Sequence, residues 1–263
     1  MPVVSFSGTP VEYEQTKPRP DLLLLHSLHT DLTVFEPVLS GLAQRYRVTR
    51  LNLPGFGASS PAPPDSVREY ADHVGSVMNA LALPRTTTTV FGNGLGALIA
   101  LELAIHHGTR FDRLIVAGAV AAFPTEAKSP LLALAETVRT RGMSAVLDAA
   151  MARLFTPEFA AANPEIVAAR RAKLGRVDAE CFAHACVALA RLDLRPQLLK
   201  IRNPTLVLCG ALDQTTPAPL AREVAHGIPG ATYQEIPGCG HCPMLEQPAT
   251  LVELIHAFMA TSH

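Results

Sequence analysis

The segment Gly92-Asn93-Gly94-Leu95-Gly96 stands between an apolar, β-branched run ending at Phe91 and an alanine-rich helical stretch over 97–107. Its outline is that of G-x-S-x-G, in which a sharp strand-to-helix turn lifts a nucleophilic serine to the top of a sheet. Here the central position is Gly94. Such a turn forces its central residue into a strained backbone conformation that glycine adopts at little cost. The turn is therefore expected to keep its shape while lacking a reactive oxygen of its own.

Other residues offer chemistry with less context. Cys239-Gly240-His241-Cys242 contains a C-x-x-C spacing, but structural zinc takes four ligands and no second ligand cluster accompanies it. No metal or cofactor is implied. Ser27, Ser59, Cys239 and Cys242 lie on loops and are candidate substitute nucleophiles, although none has a strand-turn-helix setting. Arg139, Arg153 and Arg191 fall in a helical stretch, where they serve either to hold a substrate carboxylate or as ordinary solvated helix faces.

Composition narrows the partner. A formal charge of −1 with no run of Lys or Arg provides no electrostatic footprint for nucleic acid or an anionic membrane, so a small-molecule substrate is expected. No apolar run reaches the ~18 residues of a membrane span, and no secretory leader pattern is present, which makes a cytoplasmic location the default expectation. The five cysteines are an odd number and form no disulfide framework.

These residues must be positioned by alternating strands and helices. After a hairpin over 3–5 and 11–14 and the Pro-rich join Lys17-Pro18-Arg19-Pro20, the apolar run 22–25 reads as a strand buried on both faces. Helical spacing at 32–43, a strand at 46–51, a helix at 67–83 and a strand at 86–91 lead to the Gly94 turn. A helix over 97–107 and a strand over 114–117 follow, and this alternation implies a parallel sheet wound by right-handed crossovers. From 124 to 200 the alternation stops and helical periodicity takes over, which predicts a helical lid. Met143, Leu147, Met151 and Phe155 recur at a spacing of four, and this stripe is expected to line the pocket or to pack against the sheet. Strands at 205–209 and 232–236, each followed by a helix, complete the pattern.

The element order, the Gly94 turn and two later motifs together resemble the α/β-hydrolase family over essentially the whole chain. Within it, Leu25-His26-Ser27-Leu28-His29-Thr30-Asp31, Leu53-Pro54-Gly55-Phe56-Gly57-Ala58-Ser59 and Leu154-Phe155-Thr156-Pro157-Glu158-Phe159 look like the 3-oxoadipate enol-lactonases and nearby small esterases. The resemblance implies an α/β fold with a mostly parallel eight-stranded sheet, helices on both faces, a core of residues 1–123 and 201–263, and a lid of residues 124–200. It makes Gly94 the nucleophile position without a nucleophile, Asp213 the acid and His241 the base, in the family's chain order. It also matches the oxyanion-hole amides to Leu28 and Leu95. Two positions depart from the family. Asn93 stands where histidine is common, and His29 where glycine is usual, so His29 is either a third imidazole near the pocket or a solvated loop residue. Ser27, His29, Asn93, Met143 and Met151 are the candidate pocket residues. The segment Gly118-Ala119-Val120-Ala121 lacks an acid at the family's alternative position, which leaves Asp213.

Four functions remain open on these residues. In the first, His241 and Asp213 activate water or move a proton on an activated lactone, enamine or β-keto acid. The second is an enol-lactonase or carboxylesterase inactivated by a Ser-to-Gly change. The third is a lyase or decarboxylase using the same acid-base pair, and the fourth a non-catalytic ligand-binding protein.

Overall fold

The computed structural model describes residues 3–6, 9–16, 20–60 and 62–261. Among the described residues eight strands form one sheet: β1 (Val3–Phe6), β2 (Thr9–Gln15), β3 (Asp21–Leu25), β4 (Arg47–Leu51), β5 (Thr89–Asn93), β6 (Arg113–Ala117), β7 (Thr205–Gly210) and β8 (Thr232–Ile236), in the order β1-β2-β4-β3-β5-β6-β7-β8. β1 pairs antiparallel with β2, and β2 with β4; every other pairing is parallel. β3 and β5 are buried at every residue, and 22–25 and 90–91 within them accordingly run apolar instead of alternating. β8, on the edge, alternates exposed and half-buried positions up to Ile236. The α/β-hydrolase architecture read from the sequence is the one found. Residues 17–19 of the Pro-rich join lie outside the described residues.

Two boundaries move for local reasons. The strand expected at 86–91 begins at Thr89, because the Thr88 N–H and hydroxyl both turn back onto the Pro84 carbonyl. The helix expected over 32–43 divides into a 3-10 turn, Leu32–Phe35, and an α-helix, Glu36–Leu42. Asp31 caps the turn by accepting from the Thr33 N–H at 3.0 Å, and Pro37 starts the helix at a position that needs no donor. The helix Leu95–His107 is buried on all sides through most of its length and packs against Val67–Ala80, whereas Glu36–Leu42 packs against Pro248–Ala260. Five α-helices, from Thr125–Arg141 to Ala179–Arg191, lie between β6 and β7, with the first and last packed together. Among the described residues no helix is long and apolar enough to cross a membrane.

Candidate active site

β5 runs straight into the helix Leu95–His107, and Gly94 makes the turn with φ 54° and ψ −118°. That conformation is costly for any residue with a Cβ. The Gly94 N–H donates to Ala117 on β6, and its carbonyl accepts from Ala97 and Leu98 as the helix starts. The Gly96 N–H crosses to the His26 carbonyl at 3.0 Å. In the first turn this leaves the Leu95 N–H with no acceptor among the described residues, and the Leu28 N–H across the cavity has none either. Two unpaired amides beside a helix N-terminus provide a place for a negatively charged oxygen. The loop carrying Leu28 is held by His26, whose Nδ1 donates to the Ser27 carbonyl at 2.8 Å while Nε2 accepts from the Leu53 N–H at 3.0 Å. Both nitrogens are used in the neutral ring. Burial pushes His26 down to about 4, against the upward pull of its bond to Ser27, so it stays neutral at ordinary pH.

Asp213 and His241 follow β7 and β8 and meet at the same end of the sheet. Nδ1 of His241 lies 2.8 Å from Asp213 Oδ2, and both side chains are almost completely buried. The carboxylate also accepts from the Thr215 N–H at 2.8 Å, the Thr216 N–H at 3.0 Å and the Thr216 hydroxyl at 2.8 Å. Burial alone would raise Asp213, but the His241 charge and these donors outweigh it and hold the carboxyl below its usual range. Burial would likewise lower His241; the Asp213 charge and hydrogen bond reverse this, with Glu246 adding to them, and the net direction is upward.

Gly118 and Glu246, to which the sequence assigns no role, and Asn93, which it places in the pocket, position this imidazole. Gly118, with φ 62°, leaves room for the ring: a Cβ there would lie 2.8 Å from His241 Cε1 and 3.0 Å from Nδ1. Glu246 accepts from the backbone N–H groups on either side of His241, Gly240 and Cys242, both at 3.1 Å, and more distantly from Thr156 at 3.4 Å. Asn93 is not a pocket residue. It is fully buried, and its Nδ2 donates to the His241 carbonyl at 3.0 Å and to Ala117 at 3.3 Å, tying the Gly94 turn to the histidine loop. In the sequence Asn93 stood out beside Gly94 as a departure from the family's common histidine, but nothing local announced a partner 148 positions away.

A cavity of about 280 Å³ opens above Gly94. Ser27, His29, Leu28, Leu95 and His241 line its floor, and the helices between β6 and β7 supply Leu131, Leu134 and Leu189 to its walls. His29 is buried, not solvated, and burial together with the nearby His241 and Arg153 charges pushes it down to about 3. Met143 and Met151 do not line this cavity. Both are buried in the hydrophobic core with Leu147 and Phe155, because the inner face of a helical layer must cover its own neighbours before it can face a ligand. Of the candidate arginines, Arg139 pairs with Glu180 at 2.8 Å, and Arg191 borders a separate surface hollow. Arg153 alone reaches the cavity rim, makes no ion pair among the described residues, and also borders a second hollow of about 270 Å³. All five cysteines are buried free thiols, and none lines the cavity above Gly94. Ser59 is also committed elsewhere: its hydroxyl donates to the Asn52 carbonyl and accepts from the Glu12 N–H. Among the described residues no group of three or more His, Cys, Asp or Glu is placed to hold a metal ion.

Fold and sequence together define the class: residues 22–254 match the model of the alpha/beta hydrolase family, and the chain belongs to that family. It is 33% identical over 242 residues to 3-oxoadipate enol-lactonase 2 of Acinetobacter baylyi, covering 92% of this chain and 89% of that protein. Pimeloyl-[acyl-carrier protein] methyl ester esterase of Nitrosomonas europaea is 27% identical over 254 residues, covering 94% and 98%. Among solved structures, the enol-lactonase from Burkholderia xenovorans superimposes with a TM-score of 0.92 at 28% identity, covering 99% of this chain and 100% of that one. The chain is an α/β-hydrolase-fold enzyme related to enol-lactonases and esterases.

Proposed function

We propose that this protein hydrolyses a small activated ester or lactone, with His241 as general base and Asp213 as its orienting carboxylate. The observation that carries the reading is the placement of His241 Nε2. It lies 2.9 Å from the point a Gly94 Cβ would occupy, directly over the turn where G-x-S-x-G carries its serine, while Nδ1 is bonded to Asp213. A carboxylate on Nδ1 fixes the tautomer that leaves Nε2 free to take a proton and stabilises the imidazolium that results. The oxygen that attacks the substrate carbonyl gives its proton to Nε2. The carbonyl oxygen becomes negative against the Leu28 and Leu95 amides, and the imidazolium then protonates the departing alkoxide or enolate.

General base catalysis of this kind contributes on the order of 10²–10⁴-fold, and each oxyanion donor about 3 kcal/mol. Those magnitudes suit an activated acyl group, such as an enol ester, better than an ordinary alkyl ester. The apolar walls and the guanidinium of Arg153, which has no ion-pair partner among the described residues, favour a substrate with an apolar body and one anionic end. In this reading the helices between β6 and β7 act as the lid. The test is turnover of p-nitrophenyl acetate and of an enol-lactone by the parent and by His241→Ala. Loss of at least 10²-fold in kcat/KM is expected, and unchanged turnover would refute the role of His241.

A further inference from the structure

The general-base reading leaves open which oxygen attacks, and the geometry points to the Ser27 hydroxyl as the nucleophile, taking the place vacated at Gly94. Ser27 Oγ lies 2.3 Å from the point a Gly94 Cβ would occupy, the same point that His241 Nε2 approaches to 2.9 Å. A side chain at position 94 and the Ser27 hydroxyl therefore compete for one space. Glycine at 94 is what admits the hydroxyl to the base. Three hydroxyl-bearing residues line the cavity, Ser27, Thr215 and Thr216. The Thr215 hydroxyl donates to the Arg153 carbonyl at 2.8 Å and the Thr216 hydroxyl to Asp213 at 2.8 Å. Ser27 Oγ has no hydrogen-bond partner among the described residues, so its proton is uncommitted.

Ser27 is buried and its backbone is held on both sides. Its N–H donates to Thr30 Oγ1 at 3.0 Å, and its carbonyl accepts from His26 Nδ1 at 2.8 Å and from the Thr30 N–H at 3.2 Å. Ser27 Oγ and His241 Nε2 both border the space above Gly94, and catalytic hydrogen bonds in free enzymes commonly tighten when substrate binds. A hydroxyl fixed in this way meets the carbonyl without the entropy cost of capturing a water molecule. Ser27 Oγ attacks the carbonyl carbon as its proton passes to His241 Nε2. The acyl C–O bond breaks, the leaving oxygen takes that proton, and an ester on Ser27 remains. Water, deprotonated by the same imidazole, hydrolyses the ester and returns the proton to Ser27.

This inference rests on the general-base reading, and one experiment separates the two. The full chain is mixed with p-nitrophenyl acetate, the initial burst is measured, and acid-quenched protein is mapped by mass spectrometry; a fluorophosphonate probe is mapped in parallel. A burst of about one equivalent with acyl and phosphonyl groups on Ser27 is expected. Both should vanish in Ser27→Ala with turnover falling by on the order of 10²-fold or more. Ser27→Cys should regain a burst, with the acyl group as a thioester, which shows that the loop still folds. In Gly94→Ser the label should leave Ser27 for position 94. No label on Ser27, or label on another residue, overturns the proposal. Turnover unchanged in Ser27→Ala but lost in His241→Ala overturns it too while leaving the general-base reading intact. Turnover unchanged in His241→Ala removes both.

Discussion

Gly94→Ala is the perturbation that most directly tests the packing over the turn. It adds a single carbon, 2.3 Å from Ser27 Oγ, 3.0 Å from Ser27 Cβ and 2.9 Å from His241 Nε2. It also places a Cβ on a backbone at φ 54° and ψ −118°, for which a cost of about 1–3 kcal/mol is typical. Turning the Ser27 hydroxyl aside and shifting a fully buried imidazole adds roughly 1 kcal/mol more, by analogy with overpacked cores. The sum, about 3 kcal/mol, corresponds to a fall of roughly 6–12 °C in Tm for a chain of this size. The two contributions separate in a double-mutant cycle, because Ser27→Ala removes the 2.3 Å contact but leaves the backbone strain. Gly94→Ala/Ser27→Ala should therefore be more stable than the sum of the single changes by up to about 1 kcal/mol, the share of the hydroxyl, because the contact with His241 remains. Urea unfolding followed by circular dichroism measures each corner of the cycle. A neutral Gly94→Ala would refute the strain argument, and strict additivity would show that the Ser27 hydroxyl does not occupy that space.

Four further outcomes follow from the same geometry. The rate should rise with pH as His241 loses its proton, with the midpoint above the ordinary histidine value of 6.5; Asp213→Asn should move that limb to lower pH and cut kcat by up to about 10⁴-fold. The same pair sets a stability window. Raised His241 contributes fully below 6.5 and loses its contribution as pH rises through its folded value, whereas lowered Asp213 contributes above 3.8 and fails as pH falls through its own; denaturant titrations of parent and Asp213→Asn across pH would show it. Arg153→Gln should raise KM for an acyl substrate bearing a carboxylate and leave p-nitrophenyl acetate unaffected, and equal effects on both would remove Arg153 from substrate binding. Arg170→Ala breaks the bond at 3.1 Å from a buried guanidinium to Asp31 and should cost about 2 kcal/mol in urea unfolding, less than a fully buried pair because Asp31 keeps Thr33.

The sequence by itself determined the sheet, the turn and the order of the chemical groups. Runs such as 22–25 are apolar at every position because a strand covered on both faces has no polar side, and that signal is local. Glycine at 94 was equally legible, since the strained turn is a property of a few consecutive residues. Tertiary structure alone decided what each buried side chain faces. A stripe such as Met143 and Met151 announces burial, but whether it meets a cavity or another helix depends on how the whole helical layer sits. His29 read in the sequence as either a third imidazole near the pocket or a solvated loop residue, and it is a buried, neutral part of the cavity floor because segments distant in sequence close over it. The grip on His241 by Asn93, Gly118 and Glu246 joins three separate parts of the chain, and only closure of the sheet brings them together. Ser27 belongs to the same group. Its type and loop were visible, but the approach of its hydroxyl to the space above Gly94, beside His241, exists only once the loops carrying these three residues come together.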